Sequence, residues 1–256
     1  MTAITQTGFL FLRVMRNLMR QPIWIVFMLV QPMFWLLLYS QLFRRITDLP
    51  GFGTHSYIDY LTPGIAIMTA FFSGSWAGMG TIEDLDRGVV ERFLTTPARR
   101  SAIVSARIVQ SGVVATIQAL IVLLVGLALG ATNGGAPGWI VILLASGLIG
   151  AGFAGFSNGV ALLTRREESM IAVANFISLP LLFFSSILIA KSLIPSWMRS
   201  LSLVNPVEWS VRAARGQVLP HTDWGAIGVY LVLLALFTLG TGAFATWSFR
   251  SYQRTL

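Results

Sequence analysis

Residues Glu83 to Ser101 read EDLDRGVVERFLTTPARRS, four carboxylates and four arginines in a chain that is otherwise apolar over membrane-length runs. Hydrocarbon makes each of those charges costly, so this stretch belongs outside the membrane and its apolar flanks read as spans. As a helix, Val89, Val90, Phe93, Leu94 and Pro97 fall on one stripe, with Glu91, Arg92 and Thr95 pointing elsewhere. Two readings fit that pattern. One is a short amphipathic plug pressed into a groove on another protein. The other is a solvated connector between two membrane helices.

Composition supports the membrane frame. Hydrophobic residues make up 55% and charged residues 11%, where a soluble domain carries about 25% charged residues. With a mean hydropathy of +0.74, the chain cannot clothe itself in polar groups and reads as an integral membrane protein. It has no cysteine, which excludes disulfides, thiolate metal sites and cysteine nucleophiles together.

Upstream of the charged stretch, about 60–82 reads as a span in which Gly74 and Gly78 form a small-residue packing face. The run 22–43 is uncharged and long enough to cross a core of ~30 Å, with Pro32 at mid-span predicting a kink. Before it, Arg13, Arg16 and Arg20 line up with Asn17 on one face of a basic amphipathic helix over 5–20, expected at the membrane surface. The same arginines break the first apolar run, so no cleavable signal peptide is expected.

Downstream, nothing ionisable occurs between Arg107 and Arg165. One helix of that length would measure about 85 Å, nearly three bilayers. The turn formers ATNGGAPG at Ala131 to Gly138 therefore fold it into a hairpin, with spans at about 108–130 and 139–164. Gly147, Gly150, Gly152, Gly155 and Gly159 predict that the second arm is buried against other helices. A fifth span over 170–190, with Pro180 near its middle, and a sixth over 224–249 complete the pattern. The segment 191–223 between them reads as short interfacial helices approaching the membrane from one side.

The expectation is a single all-α membrane domain, 1–256, with six spans and both termini on one side. Of the 18 Lys and Arg residues, twelve fall on that side and six on the other. The positive-inside rule then places the termini and the Glu83–Ser101 loop in the cytoplasm of a bacterial inner membrane. The basic charge belongs to topology, and no nucleic-acid partner is needed to explain it.

This order of elements resembles the permease subunit of an ABC-2 type ABC exporter, the group that includes daunorubicin-resistance-like drug exporters and polysaccharide and lipid exporters. The resemblance covers the whole chain. It is strongest at GVVERFLTTPARR, Gly88 to Arg100, where relatives carry a Gly, an acidic-basic pair, apolar residues and then Thr-Pro followed by basic residues. NPVEWSVRAAR, Asn205 to Arg215, is similar to the Asn-Pro stretch and later Arg before the last span.

The resemblance implies that the charged loop is a coupling helix seated in a cytoplasmic ATPase. Its contact residues would be Glu83, Asp84, Asp86, Arg87, Gly88, Val90, Glu91, Arg92, Phe93, Leu94, Thr96, Pro97 and Arg99, flanked by Arg13, Arg16 and Arg20. Asn205, Pro206 and Arg212 would form the outer motif. Two such subunits, identical or different, would pair around a pathway that switches by alternating access. The ATPase, with its ATP and Mg, must be a separate chain. No Gly-x-x-x-x-Gly-Lys-Ser/Thr occurs here, and the only lysine, Lys191, falls on the outer side.

The residues themselves also bear on other classes. An ion-coupled secondary transporter would carry ionisable residues in its spans, and the six spans have none. A membrane enzyme would need a nucleophile, base or metal cluster. His55 and His221 lie in outer loops without a motif, and Asp48, Asp59, Glu208 and Asp223 are scattered along the outer side, so no metal or catalytic site is expected. A non-transporting assembly subunit stays open. The uncharged lining favours an apolar or amphipathic cargo such as a drug, lipid or glycolipid. Phe71, Phe72, Phe176, Phe183 and Phe184 are the candidate contacts, though lipid-facing packing explains any of them as well.

Overall fold

The apolar runs form helices that shuttle between two ends, with α5 at the centre. The structure is a computed structural model that describes residues 22–43, 56–88, 100–187, 195–218 and 222–253. In chain order the helices are α1 (Pro22–Leu42), α2 (Tyr57–Trp76), α3 (Met79–Asp86), α4 (Arg100–Ala128), α5 (Gly135–Thr164), α6 (Glu167–Phe183), α7 (Ser196–Ser202), α8 (Pro206–Arg215) and α9 (Trp224–Gln253). One end of the bundle carries Glu83–Arg87, Arg107, Arg165, Arg166 and Arg250. The opposite end carries Asp59, the α4–α5 turn and the short helices α7 and α8.

The long helix α5 packs against α9, α4 and α2. Its glycines make those approaches possible. A Cβ on Gly74 of α2 would lie 2.3 Å from the Gly150 carbonyl oxygen, so the backbones of α2 and α5 are in direct contact. Along another face, Gly152, Gly155 and Gly159 receive Phe237, Thr241 and Phe244 of α9. The small-residue stripes of the second hairpin arm and of the second span are helix-packing surfaces, as their spacing suggested.

The hairpin turn falls where the turn formers stand. Gly130, Asn133, Gly134 and Gly135 all take positive φ, and Asp59 at the start of α2 ties the turn down. Its Oδ1 accepts from the backbone N–H of Thr132 at 2.5 Å and of Asn133 at 3.0 Å. At the other end Arg165, also at positive φ, terminates α5, and α6 starts at once with Glu167 and Glu168 in its first turn, where the helix dipole favours them.

Four helical segments are long and apolar enough to cross a membrane by length and composition among the described residues: Tyr57–Asp86, Val104–Ala128, Gly135–Thr164 and Trp224–Tyr252. α1 is a helix of 21 residues that runs on through Pro32. The fifth apolar run behaves differently from its hydropathy. α6 stops at Phe183 after 17 residues, and Phe184 to Ile187 leave the helix, so Pro180 sits in the last turn. Proline removes an N–H from the ladder and crowds the preceding turn, and the carbonyls at the end of α6 and just beyond it are taken up by Asn205 and Arg215. The basic helix at 5–20, with Arg13, Arg16 and Arg20, lies outside the described residues.

Candidate functional site

Two polar clusters stand out, one at each end of the bundle. The first is built by NPVEWSVRAAR. Asn205 caps α8, its Oδ1 accepting from the Val207 N–H at 2.9 Å, and Pro206 occupies the first helical position. Glu208 in the first turn and Arg212 and Arg215 in the last suit the helix dipole. The heptad spacing 208, 212, 215 puts all three on one face, and that face turns inward.

There they seal the broken end of α6. The Asn205 amide donates to the carbonyls of Leu181 at 2.7 Å and Phe184 at 3.2 Å. The Glu208 carboxylate accepts from the Ser186 N–H at 2.7 Å and the Ser186 hydroxyl at 2.8 Å. Its other oxygen accepts from Arg212 Nε at 2.7 Å. Arg215 donates to the carbonyls of Ser186 and Ile187, and through Nε to the carbonyl of Tyr60 at 3.0 Å. Its guanidinium carbon lies 3.6 Å from the Tyr60 ring centroid. Arg215 thus ties the start of α2 and the segment after α6 to α8.

The surroundings leave no room for anything else. Glu208 is 1% exposed and Arg215 5%. A Cβ on Gly64 would lie 2.6 Å from Arg215 Nη2 and 2.7 Å from the Ile187 oxygen. Burial pushes Arg215 below the usual guanidinium value, with Tyr60, Glu208 and Tyr57 pulling the other way. For Arg212, burial also acts downward, but hydrogen bonds to Tyr230 and Glu208 outweigh it and leave the group above its ordinary value.

The second cluster lies where α2 gives way to α3. Ala77 and Gly78 interrupt the helix, and the Gly78 N–H donates to Ser157 Oγ of α5 at 2.8 Å. That hydroxyl donates in turn to the Ser75 carbonyl at 2.7 Å. A side chain thus stands in for the interrupted ladder. One turn on, Arg107 of α4 donates to Thr81 Oγ1 at 3.0 Å and pairs with Asp84, while Thr81 donates to Asn158 Oδ1. The Asn158 amide ends the chain on the Ala154 carbonyl at 2.6 Å.

These contacts sort the residues named from the sequence. Of the coupling stretch, Glu83, Asp84, Asp86, Arg87 and Gly88 are described. Glu83, Asp86 and Arg87 are exposed, the first and last paired at 2.5 Å. Asp84 instead turns inward to Arg107. Val90, Glu91, Arg92, Phe93, Leu94, Thr96, Pro97 and Arg99 lie outside the described residues. Phe71 is fully buried with its ring edge-on to Phe153 at 4.6 Å, and Phe72 is half-buried. Phe176 and Phe183 on α6 are 80% and 69% exposed, while Phe184 sits beside Trp197 at 6.1 Å. A shallow apolar crevice between α2, α5 and α6 is lined by Phe153, Phe156, Met170, Ala174 and Ser178. Among the described residues, no group of three His, Cys, Asp or Glu side chains could hold a metal ion.

Sequence reasoning did not single out Glu208, Arg215, Tyr60 and Ser186 at one end, nor Thr81, Arg107 and Asn158 at the other. Glu208 and Arg212 at i, i+4 were a legible signal. Arg107 looked like one more topological charge.

The arrangement is that of an apolar helical bundle whose charged end exposes Glu83, Asp86 and Arg87, and comparison with known proteins agrees. Residues 5–219 match the family model described as ABC-2 type transporter. The chain belongs to the ABC-2 type transporter family. It is similar to the ycf38 protein of Cyanophora paradoxa, whose name describes a putative transport permease, at 29% identity over 231 residues, covering 90% of this chain and 79% of the relative. It is similar also to the daunorubicin resistance ABC transporter permease protein DrrB1 of Streptomyces coeruleorubidus, at 24% identity over 254 residues, covering 98% and 87%. The ABC-2 chain is accordingly a multi-pass, non-catalytic permease subunit, of a family that works with separate ATPase subunits.

Proposed function

We propose that this permease is the membrane half of an ATP-driven exporter. It moves an apolar or amphipathic molecule (a drug, lipid or glycolipid) out of the cytoplasm or the inner leaflet of a bacterial cell membrane. A separate cytoplasmic ATPase binds ATP and Mg and supplies the energy. Two permease subunits, identical or different, enclose the pathway. Both termini and the charged end of the bundle face the cytoplasm, and six spans cross the membrane.

The observation that carries this reading is the position of α3. It continues α2 along α5 and α6 to the charged end of the bundle and exposes Glu83, Asp86 and Arg87 immediately before GVVERFLTTPARR. A segment presented in that way suits docking into an ATPase, with Glu91 and Arg92 as polar contacts and Phe93 as the apolar anchor. Uncharged cargo is supported by the open rings of Phe176 and Phe183 on α6. The permease named for daunorubicin resistance points to the same class of cargo.

The test is assembly. Burying a Phe side chain contributes about 1.5–3 kcal/mol, so Phe93→Asp removes the anchor and inserts a charge. The variant is expected to stay folded in the membrane and to lose at least tenfold in co-purified ATPase. Glu91→Gln keeps the shape without the charge, and is expected to retain the complex with hydrolysis and transport partly uncoupled. Full assembly and full efflux by Phe93→Asp would reduce the loop to a solvated connector.

A further inference from the structure

Asp84 belongs to the acidic run of the coupling segment, yet its carboxylate faces the bundle. It pairs with Arg107 of α4, and both side chains are partly buried, 30% and 21% exposed. Arg107 also donates to Thr81 at 3.0 Å, and the Thr81 hydroxyl donates to Asn158 of α5. Thr81 and Asn158 are each 4% exposed. From α3 the links reach α4 through Asp84 and Thr81, and the central helix α5 through Thr81. They lie immediately beyond the Ala77–Gly78 interruption, the one place where α3 could bend away from α2.

That placement has a mechanical consequence. Alone, an eight-residue helix joined at Gly78 would swing when pulled, and little of the motion would reach the membrane. Two side chains from two other helices, Arg107 of α4 and Asn158 of α5, prevent it. Gly78 is held as well, because its N–H is committed to Ser157 and a Cβ there would meet the Ser157 carbonyl oxygen at 2.5 Å. We propose that Asp84, Arg107, Thr81 and Asn158 form an internal strut that makes α3 move as one body with α4 and α5. They are positioning residues: Asp84 transmits force within this chain and does not contact the ATPase. The inference rests on the coupling role proposed above for the segment that follows α3.

Two measurements test it. In the first, spin labels at Glu83→Cys on α3 and Leu163→Cys on α5 report the distance between them for the permease alone in nanodiscs; the native chain has no cysteine to remove. A narrow distribution is expected, broadened at least twofold by Asp84→Asn or by Thr81→Val, and kept narrow by Thr81→Ser, which retains the hydroxyl. Equal widths in wild type and Thr81→Val would overturn the strut, whatever the ATPase does.

The second uses the complex with its ATPase and a fluorophore at Trp197→Cys, at the far end of the bundle. Addition of ATP and Mg should change its emission in the wild type. Thr81→Val should lose about four-fifths of that change while hydrolysis stays within twofold, and Thr81→Ser should keep it. A full response in Thr81→Val, or none in the wild type with the ATPase bound and hydrolysing, also overturns the strut. Failure of any ATPase to co-purify counts against the exporter reading instead, and leaves the distance measurement to decide the strut.

Discussion

Arg215 shows what one side chain does in this fold. Its five donors form a rigid fork, and three carbonyls from two separate elements, Tyr60, Ser186 and Ile187, converge on it. An ammonium is a point charge and cannot reach all three. Arg215→Lys is therefore expected to destabilise the permease by about 3–5 kcal/mol, the cost of breaking a buried charged network, read as an earlier midpoint in detergent unfolding. Gly64→Ala should act through the same site, since the new methyl occupies the place of Arg215 Nη2. If the two changes disturb one contact, the double variant will be less destabilised than the two singles added together.

At the scale of elements, the helices divide by what their glycines meet. On α5, Gly150 has the Ala115 methyl 2.4 Å from where a Cβ would stand, and its own carbonyl blocks a Cβ on Gly74. Gly150→Leu is expected to prevent the α2–α5–α4 packing and to abolish folded yield. On α9, Gly228 and Gly240 have nothing within 4 Å. Gly228→Ala and Gly240→Ala are expected to be neutral or to stabilise by up to about 1 kcal/mol, because they cut the freedom of the unfolded helix. Monodisperse yield after detergent extraction separates the two classes. A loss of yield in Gly240→Ala would mean that another chain packs against that face of α9.

For the whole molecule the charge asymmetry predicts the orientation. With no native cysteine, single substitutions can be labelled without background. Thr54→Cys and Ser196→Cys should react with an impermeant thiol reagent in intact cells, and Ser101→Cys and Ser251→Cys only after permeabilisation. Reaction at residue 101 from outside would invert the proposed topology and put the α3 arm on the wrong side for an ATPase. The family assignment adds that the purified permease alone will show no ATP turnover. Hydrolysis by a preparation shown to lack the partner would contradict a non-catalytic subunit.

Much of this molecule was legible along the chain because its largest energetic terms are local. An uncharged run of membrane length must be helical to satisfy its backbone. ATNGGAPG must turn because its residues tolerate positive φ, and Asn-Pro followed by Glu and later Arg must start and end a short helix. Small residues four apart announced close packing before any partner was visible. What only the tertiary structure decided is where side chains distant in sequence meet. Hydropathy carried the fifth span to Ala190, but α6 ends at Phe183 because Asn205, Glu208 and Arg215 offer its backbone better partners than a further helical turn. Asp84 looked like a surface acid beside Glu83 and Asp86, and it faces inward because Arg107, 23 residues on, waits there. Hydrogen bonds of that kind depend on distance and angle in space, and spacing along a chain records neither.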